Sequence, residues 1–272
     1  MTWWQAILLG LIQGLTEFLP VSSSGHLEIG QAILGTAGEE NLTFAIVVHV
    51  ATVCSTLIIF WREITVLFRG TFTTTKWNEQ KDYVAKILLS MIPVFVVGMF
   101  FKDQVEAFFG NGLLLVGICL LITACLLALS EAITRRRAIN GSEGHNVRYQ
   151  DALIIGIAQA FAVLPGLSRS GSTIATGLLC GVKKESVAQF SFLMVLIPIL
   201  GEAILDGIDL LQGENATSLG LLPLSLGFIT AFLTGCFACK FMIHVVRKQK
   251  LSWFAIYCAI IGVTAVAWSL YH

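Results

Sequence analysis

Two short stretches of this chain gather side chains whose types and spacing could do chemistry together. The first runs Pro20-Val21-Ser22-Ser23-Ser24-Gly25-His26, with Gln13 and Glu17 shortly before it. The second runs Pro165-Gly166-Leu167-Ser168-Arg169-Ser170-Gly171-Ser172-Thr173. Gln13 and Glu17 are four apart, so on a helix they share one face and point toward the same tip. Glu17 has three available roles there: base, metal ligand or counter-charge. Arg169 carries a guanidinium, whose fork of N–H groups matches the oxygens of a phosphate two at a time. Ser168, Ser170, Ser172 and Thr173 add hydroxyl donors around it. Ser22, Ser23 and Ser24 exceed what a single helix cap needs, and His26 can carry a proton or simply pack. Together these residues describe an anion cradle, for phosphate or carboxylate.

The elements that position these residues follow from composition. Of 272 residues, 56% are hydrophobic and only 12% charged, against about 25% charged in soluble domains. The chain lacks the charge for a soluble shell, so lipid must cover much of its surface. Net charge is zero, so no global field recruits nucleic acid. Met1 to Gly10 has no Lys or Arg ahead of its apolar run, which argues against a cleaved signal peptide. A membrane-spanning helix needs about 20 apolar residues. Six stretches qualify, at 42–62, 83–101, 112–132, 186–206, 220–243 and 252–271. Residues 3–34 and 151–180 are apolar but interrupted by the two reactive stretches, and each is predicted to be a re-entrant helix–loop–helix hairpin. The fold expected is therefore an all-α polytopic membrane protein of ten helical pieces, forming one membrane domain. Arg169 at membrane depth needs an anionic partner, and Glu17 on the opposite hairpin is the resident choice.

The two interrupted regions are also copies. At an offset of 146, Gly10 matches Gly156, Gln13 matches Gln159, Ser22 matches Ser168, Ser24 matches Ser170, Gly25 matches Gly171 and Gly35 matches Gly181. A weaker echo at offset 137 pairs Ile92 with Ile229, Phe95 with Phe232, Gly98 with Gly235 and Phe100 with Phe237. Repeat one covers about 1–140 and repeat two about 146–272. Lys and Arg cluster at 62–86, 135–148, 183–184 and 240–250, which the positive-inside rule places in the cytoplasm. The connections around Glu39, Asp103 and Asp209 then lie outside, as do both termini. On that assignment the hairpins enter from opposite faces, giving an inverted-topology repeat. Trp3, Trp61, Trp253 and Trp268 fall at the expected interfaces. Cys236 and Cys239 spell C-x-x-C, but within a continuous apolar run, where they act as small filler. Glu28, His49 and Glu202 are further ionisable groups with no motif around them.

The set from Gln13 through Thr16-Glu17 to Pro20-Val21-Ser22-Ser23-Ser24-Gly25-His26, joined to Pro165-Gly166-Leu167-Ser168-Arg169-Ser170 and Thr173, resembles the bacterial undecaprenyl-diphosphatase family associated with bacitracin resistance. The resemblance covers essentially the whole chain. It implies hydrolysis of undecaprenyl diphosphate to the monophosphate and inorganic phosphate, with a divalent cation (Mg2+ or Ca2+), on the outer side of the bacterial cytoplasmic membrane. It implies a polyprenyl diphosphate substrate amid membrane lipids, with no nucleic acid; oligomerisation is left open. Glu17 becomes an essential acid and metal ligand, Ser23 a nucleophile or phosphate-positioning hydroxyl, and Arg169 the phosphate clamp. His26 joins Glu17, Ser23 and Arg169 as a catalytic candidate, and Ser22, Ser24, Gly25, Ser168, Ser170, Thr173 and Gln13 line the phosphate site. The family's first acidic motif has Glu or Gln where this chain has Gln13, which leaves one carboxylate here. A transporter or flippase of an anionic lipid is the alternative, since inverted repeats with broken helices also serve transport.

Overall fold

A computed structural model describes residues 1–36, 40–101, 104, 112–211, 219–248 and 251–271, without side-chain placement at 40–42, 202–211 and 247–248. The connections expected outside around Glu39 and Asp103, and the side chains of Asp209 and Glu202, lie beyond the described residues. Eleven helices are named here: α1 (Trp3–Thr16), α2 (Ser23–Leu34), α3 (Glu40–Ile59), α4 (Trp61–Phe72), α5 (Glu79–Phe100), α6 (Gly112–Ile139), α7 (Tyr149–Phe161), α8 (Arg169–Cys180), α9 (Lys184–Leu211), α10 (Leu221–Lys248) and α11 (Ser252–Tyr271). Five of these, α5, α6, α9, α10 and α11, contain stretches long and apolar enough to cross a bilayer. With the composition, they make the chain a multi-pass membrane protein.

The expected span at 42–62 differs from what forms. Helix α3 stops at Ile59, and α4 leaves it at 70°. The cluster of Lys and Arg at 62–86, expected on the cytoplasmic side, includes Arg62 and Arg69, which lie on α4. Those charges mark one side of an amphipathic helix, while Trp61, Phe68 and Phe72 stand exposed on another. This is the piece absent from the count of ten.

Each interrupted region folds as helix, break, helix. Pro20 and Pro165 lie in the breaks, where a missing N–H and a fixed φ oppose helix continuation. Ser22 and Ser168 then cap the following half-helices, accepting from Gly25 N–H at 3.4 Å and Gly171 N–H at 3.0 Å. Both half-helices end on glycines in the left-handed region, Gly35 at φ 62° and Gly181 at φ 91°. Small residues let the long helices approach. A Cβ on Gly10 of α1 would sit 2.6 Å from the Gly227 carbonyl oxygen on α10, and one on Gly156 of α7 would sit 2.3 Å from Ser90 O on α5. Gly10 and Gly156 are partners at offset 146, and Ser90 and Gly227 are partners at offset 137, so the same contact occurs twice.

Polar groups inside the spans are mostly satisfied by their own helices, as lipid requires. Ser55, Thr56 and Thr123 donate to carbonyls one turn back. Large apolar side chains such as Ile58, Phe95, Ile122, Phe237 and Val263 stand exposed, the pattern of a lipid-facing belt. Trp3, Trp61, Trp253 and Trp268 are also exposed.

Candidate active site

The two tips touch. Ser170 Oγ donates to the Leu19 carbonyl at 3.1 Å, and a Cβ on Gly25 would come within 3.2 Å of Gly166 Cα. Gly166 itself sits at φ 87°, with Val116 of α6 packed against it. A side chain at either glycine would wedge the tips apart.

Glu17 lies where the tips meet, its side chain 7% exposed. Its Oε2 accepts from Ser23 Oγ at 2.5 Å and from Gln13 Nε2 at 2.8 Å. Its Oε1 faces Arg169 at 3.4 Å, with the guanidinium 23% exposed. His49 Nε2 approaches Oε2 at 3.5 Å. Because His49 Nδ1 lies 3.2 Å from the Ala45 carbonyl, which can only accept, Nδ1 carries hydrogen. A proton on Nε2 as well would make the contact with Glu17 an ion pair. The carboxylate is thus surrounded by one hydroxyl, one amide, one imidazole and one guanidinium. Removing a partner from a buried charge costs about 3–5 kcal/mol, so the cluster holds together as a unit.

The expected residues divide into groups. Glu17, Gln13, Ser23 and Arg169 converge. Ser22 and Ser24 lie 3.4 Å apart, oxygen to oxygen, and so do Ser168 and Ser170. Ser168 is buried, its N–H held by Thr123 Oγ1 at 3.2 Å. Thr173 is fully buried and donates to the Arg169 carbonyl at 2.9 Å, so it stiffens the tip from behind. Ser172 is buried with no partner for its hydroxyl. Glu28 is half-buried on α2 and does not line the central cavity.

His26 turns away from the carboxylate. Its Nδ1 meets Ser22 O at 2.8 Å, its Nε2 meets Tyr257 Oη at 2.8 Å, and its ring stacks on that of Tyr257 at 5.5 Å. A carbonyl can only accept, so Nδ1 donates and Nε2 accepts from the phenol. Ser22 has φ 69°, the one non-glycine residue with positive φ among those described. Such a conformation persists only where its surroundings over-determine it, and His26 with Tyr257 supplies that hold. In this arrangement both ring nitrogens of His26 are engaged, one by Ser22 and one by Tyr257.

Two participants were not evident beforehand. His49 lay in a span with no motif, and the signal that recovers it is only that it is the sole histidine within that apolar run. Tyr257, on α11, carried no signal at all.

A narrow cleft of about 30 Å3 runs from the cluster between α3 and α9. Glu17, Arg169, Ser170, Thr52, Thr56 and Ser191 give it polar atoms, and Phe18, Val53, Phe192, Val195, Leu196 and Ile199 make the rest apolar. Its lining thus sets a charged and hydroxylated end against an apolar wall. Glu17 is the sole carboxylate in that lining, both of its oxygens are engaged, and a guanidinium already faces one of them. No group of three His, Cys, Asp or Glu able to hold a metal occurs among the described residues. The described residues do not fit a resident divalent cation.

The family described as bacitracin resistance protein BacA matches residues 6–264. The chain belongs to this family. Among BacA-type relatives, the undecaprenyl-diphosphatase of Bacteroides fragilis is 60% identical over 98% of both chains. That of Parabacteroides distasonis is 56% identical over 99% of both. A more distant one, from Carboxydothermus hydrogenoformans, is 41% identical over 96% of this chain and 95% of its own.

Proposed function

We infer that this BacA-family chain is a membrane phosphatase that hydrolyses undecaprenyl diphosphate to undecaprenyl phosphate and inorganic phosphate, so returning the lipid carrier to cell-wall synthesis. One observation carries the chemistry: Ser23 Oγ donates to Glu17 Oε2 at 2.5 Å while Arg169 faces the other carboxylate oxygen at 3.4 Å. A hydroxyl on a base, beside a guanidinium, is the arrangement for phosphoryl transfer.

In this scheme Ser23 Oγ attacks the terminal phosphorus and Glu17 takes its proton. The bond from that phosphorus to the bridging oxygen breaks, and undecaprenyl phosphate leaves with the bond's electron pair. Arg169 moves from Glu17 to the non-bridging oxygens, where charge gathers. Water then attacks the phosphoseryl group, returning the proton to Ser23 and releasing inorganic phosphate. Gln13 keeps Glu17 aimed at the hydroxyl throughout.

A divalent cation, Mg2+ or Ca2+, would be carried by the diphosphate itself and would supply charge neutralisation there. With both oxygens of Glu17 engaged, its expected role as a metal ligand has no free donor atom in this arrangement. We assign the chain to the bacterial cytoplasmic membrane with the site open to the outer side and both termini outside, on the distribution of Lys and Arg. The matched caps, matched left-handed glycines and the twice-occurring glycine contact support two re-entrant hairpins in an inverted repeat, of about 1–140 and 146–272.

The test is phosphate release from undecaprenyl diphosphate by the purified chain in detergent, where no second compartment exists. Turnover of substrate labelled at its terminal phosphate, quenched in acid, is expected to leave label on Ser23. Normal turnover by Ser23→Ala would discard the covalent step. Movement of lipid in vesicles with no phosphate release would favour the transporter.

A further inference from the structure

Four hydroxyls line the cleft: Thr52, Thr56, Ser170 and Ser191. Three of them donate their hydrogen elsewhere. Thr52 donates to His49 O at 2.7 Å, Thr56 to Thr52 O at 2.9 Å and Ser170 to Leu19 O at 3.1 Å. A phosphate accepts and does not donate, so these three hydroxyls have no hydrogen to offer it in this arrangement. Ser191 differs. It is 1% exposed, and its Oγ has no hydrogen-bond partner. A buried unpaired donor is unfavourable, and a serine in a helix can usually relieve it on the carbonyl one turn back. Ser191 leaves its donor unused against the cleft.

Its place on α9 says which part of a ligand it meets. Ser191, Val195 and Ile199 stand at i, i+4 and i+8, hence on one stripe of the helix, and all three line the cleft. From Ser191 to Ile199 that stripe runs about 12 Å along the axis and is apolar after its first residue. The transferred phosphorus must lie within reach of Ser23, at the Glu17 end. Between that end and the hydrocarbon wall lies the other phosphate, the one that stays on the lipid.

We propose that Ser191 is a substrate-binding residue that donates its hydroxyl hydrogen to the lipid-proximal phosphate. The proposal rests on the phosphatase function above and adds the position of the second phosphate to it. Because that phosphate is present in substrate, transition state and lipid product alike, Ser191 contributes binding without altering the chemical step.

The experiment uses full-length protein in detergent, wild type and Ser191→Ala. Expected is a rise of about tenfold in KM with kcat within about twofold, the signature of lost uniform binding to a charged group. Undecaprenyl monophosphate should inhibit, and bind in a direct assay, about tenfold more weakly, while inhibition by inorganic phosphate stays unchanged. Thermal unfolding without lipid should be unaltered or shifted upward, since the substitution deletes an unpaired donor. An unchanged KM, a fall in kcat at constant KM, or weakened inorganic phosphate inhibition with monophosphate binding intact would each overturn the proposal. Should Ser191→Ala not purify folded, Ser191→Gly removes the same hydroxyl and the same outcomes apply. Failure of wild type to release phosphate would sink the phosphatase function instead. Direct monophosphate binding still decides Ser191 in that case, with equal affinity of wild type and variant counting against it.

Discussion

The two hairpin tips share one frame and carry different chemistry. Each has a proline in its break, a serine cap, a glycine at the third position of its half-helix and a left-handed glycine at the end. Ser23 and Arg169 both follow the cap, and they are partners at offset 146. Where the first tip has Glu17, the second has Val163, and where the first has His26, the second has Ser172. The backbone differs too, with φ 69° at Ser22 against −71° at Ser168. The strained tip holds the hydroxyl and its base, and the relaxed tip holds the guanidinium. Three side-chain differences at matched positions, Glu17 against Val163, Ser23 against Arg169 and His26 against Ser172, thus separate two tips of similar frame.

Removing the base from the first tip should have the largest effect. Glu17→Gln keeps shape and loses the carboxylate, and kcat is expected to fall by about 10²–10⁴, read by phosphate release. An unaltered kcat would erase the distinction between the tips. Arg169→Lys tests the other side. It keeps the charge and loses the fork, so a fall of about 10²-fold in kcat/KM, with KM raised, separates a clamp from a mere counter-charge to Glu17. If the variant matched wild type, charge alone would explain the residue.

The shared frame is tested by stability. Gly10→Ala and Gly156→Ala each press a methyl into a facing carbonyl at 2.6 and 2.3 Å, and both are expected to cost about 1–3 kcal/mol, measured as thermal unfolding in detergent. Loss from only one of the two would mean that the duplicated contact is not equivalent. The smallest effect belongs to the brace peculiar to the first tip. Tyr257→Phe deletes one hydrogen bond, worth about 0.5–1.5 kcal/mol, and a fall in kcat of about two- to tenfold is expected with KM constant. A change confined to KM would point to substrate contact by His26 instead of support of Ser22.

Much of this was legible in the chain. The Ser, Gly and Pro clusters announced breaks because proline and capping serines act locally, within a turn of helix. The pairing of Glu17 with Arg169 followed from the cost of an unpartnered guanidinium in an apolar region, and they lie 3.4 Å apart. Long apolar runs gave the candidate spans. Helix α4 was missed because three charged residues in a mixed stretch weaken a hydropathy signal while leaving helical periodicity intact.

The sequence by itself determined that the chain is helical and apolar enough for the membrane, that it breaks at two tips, and which residue types those tips bring. Those properties follow from local backbone sterics and from how much apolar surface each segment carries. Only the tertiary structure decided that His49 reaches Glu17, that His26 is held against Ser22 by Tyr257, and that Ser191 faces the cleft with its hydrogen unused. Each of these depends on how one helix is rotated against another about its own axis. Nearly every face of such a helix is apolar, so the sequence carries little periodicity from which that rotation could be read.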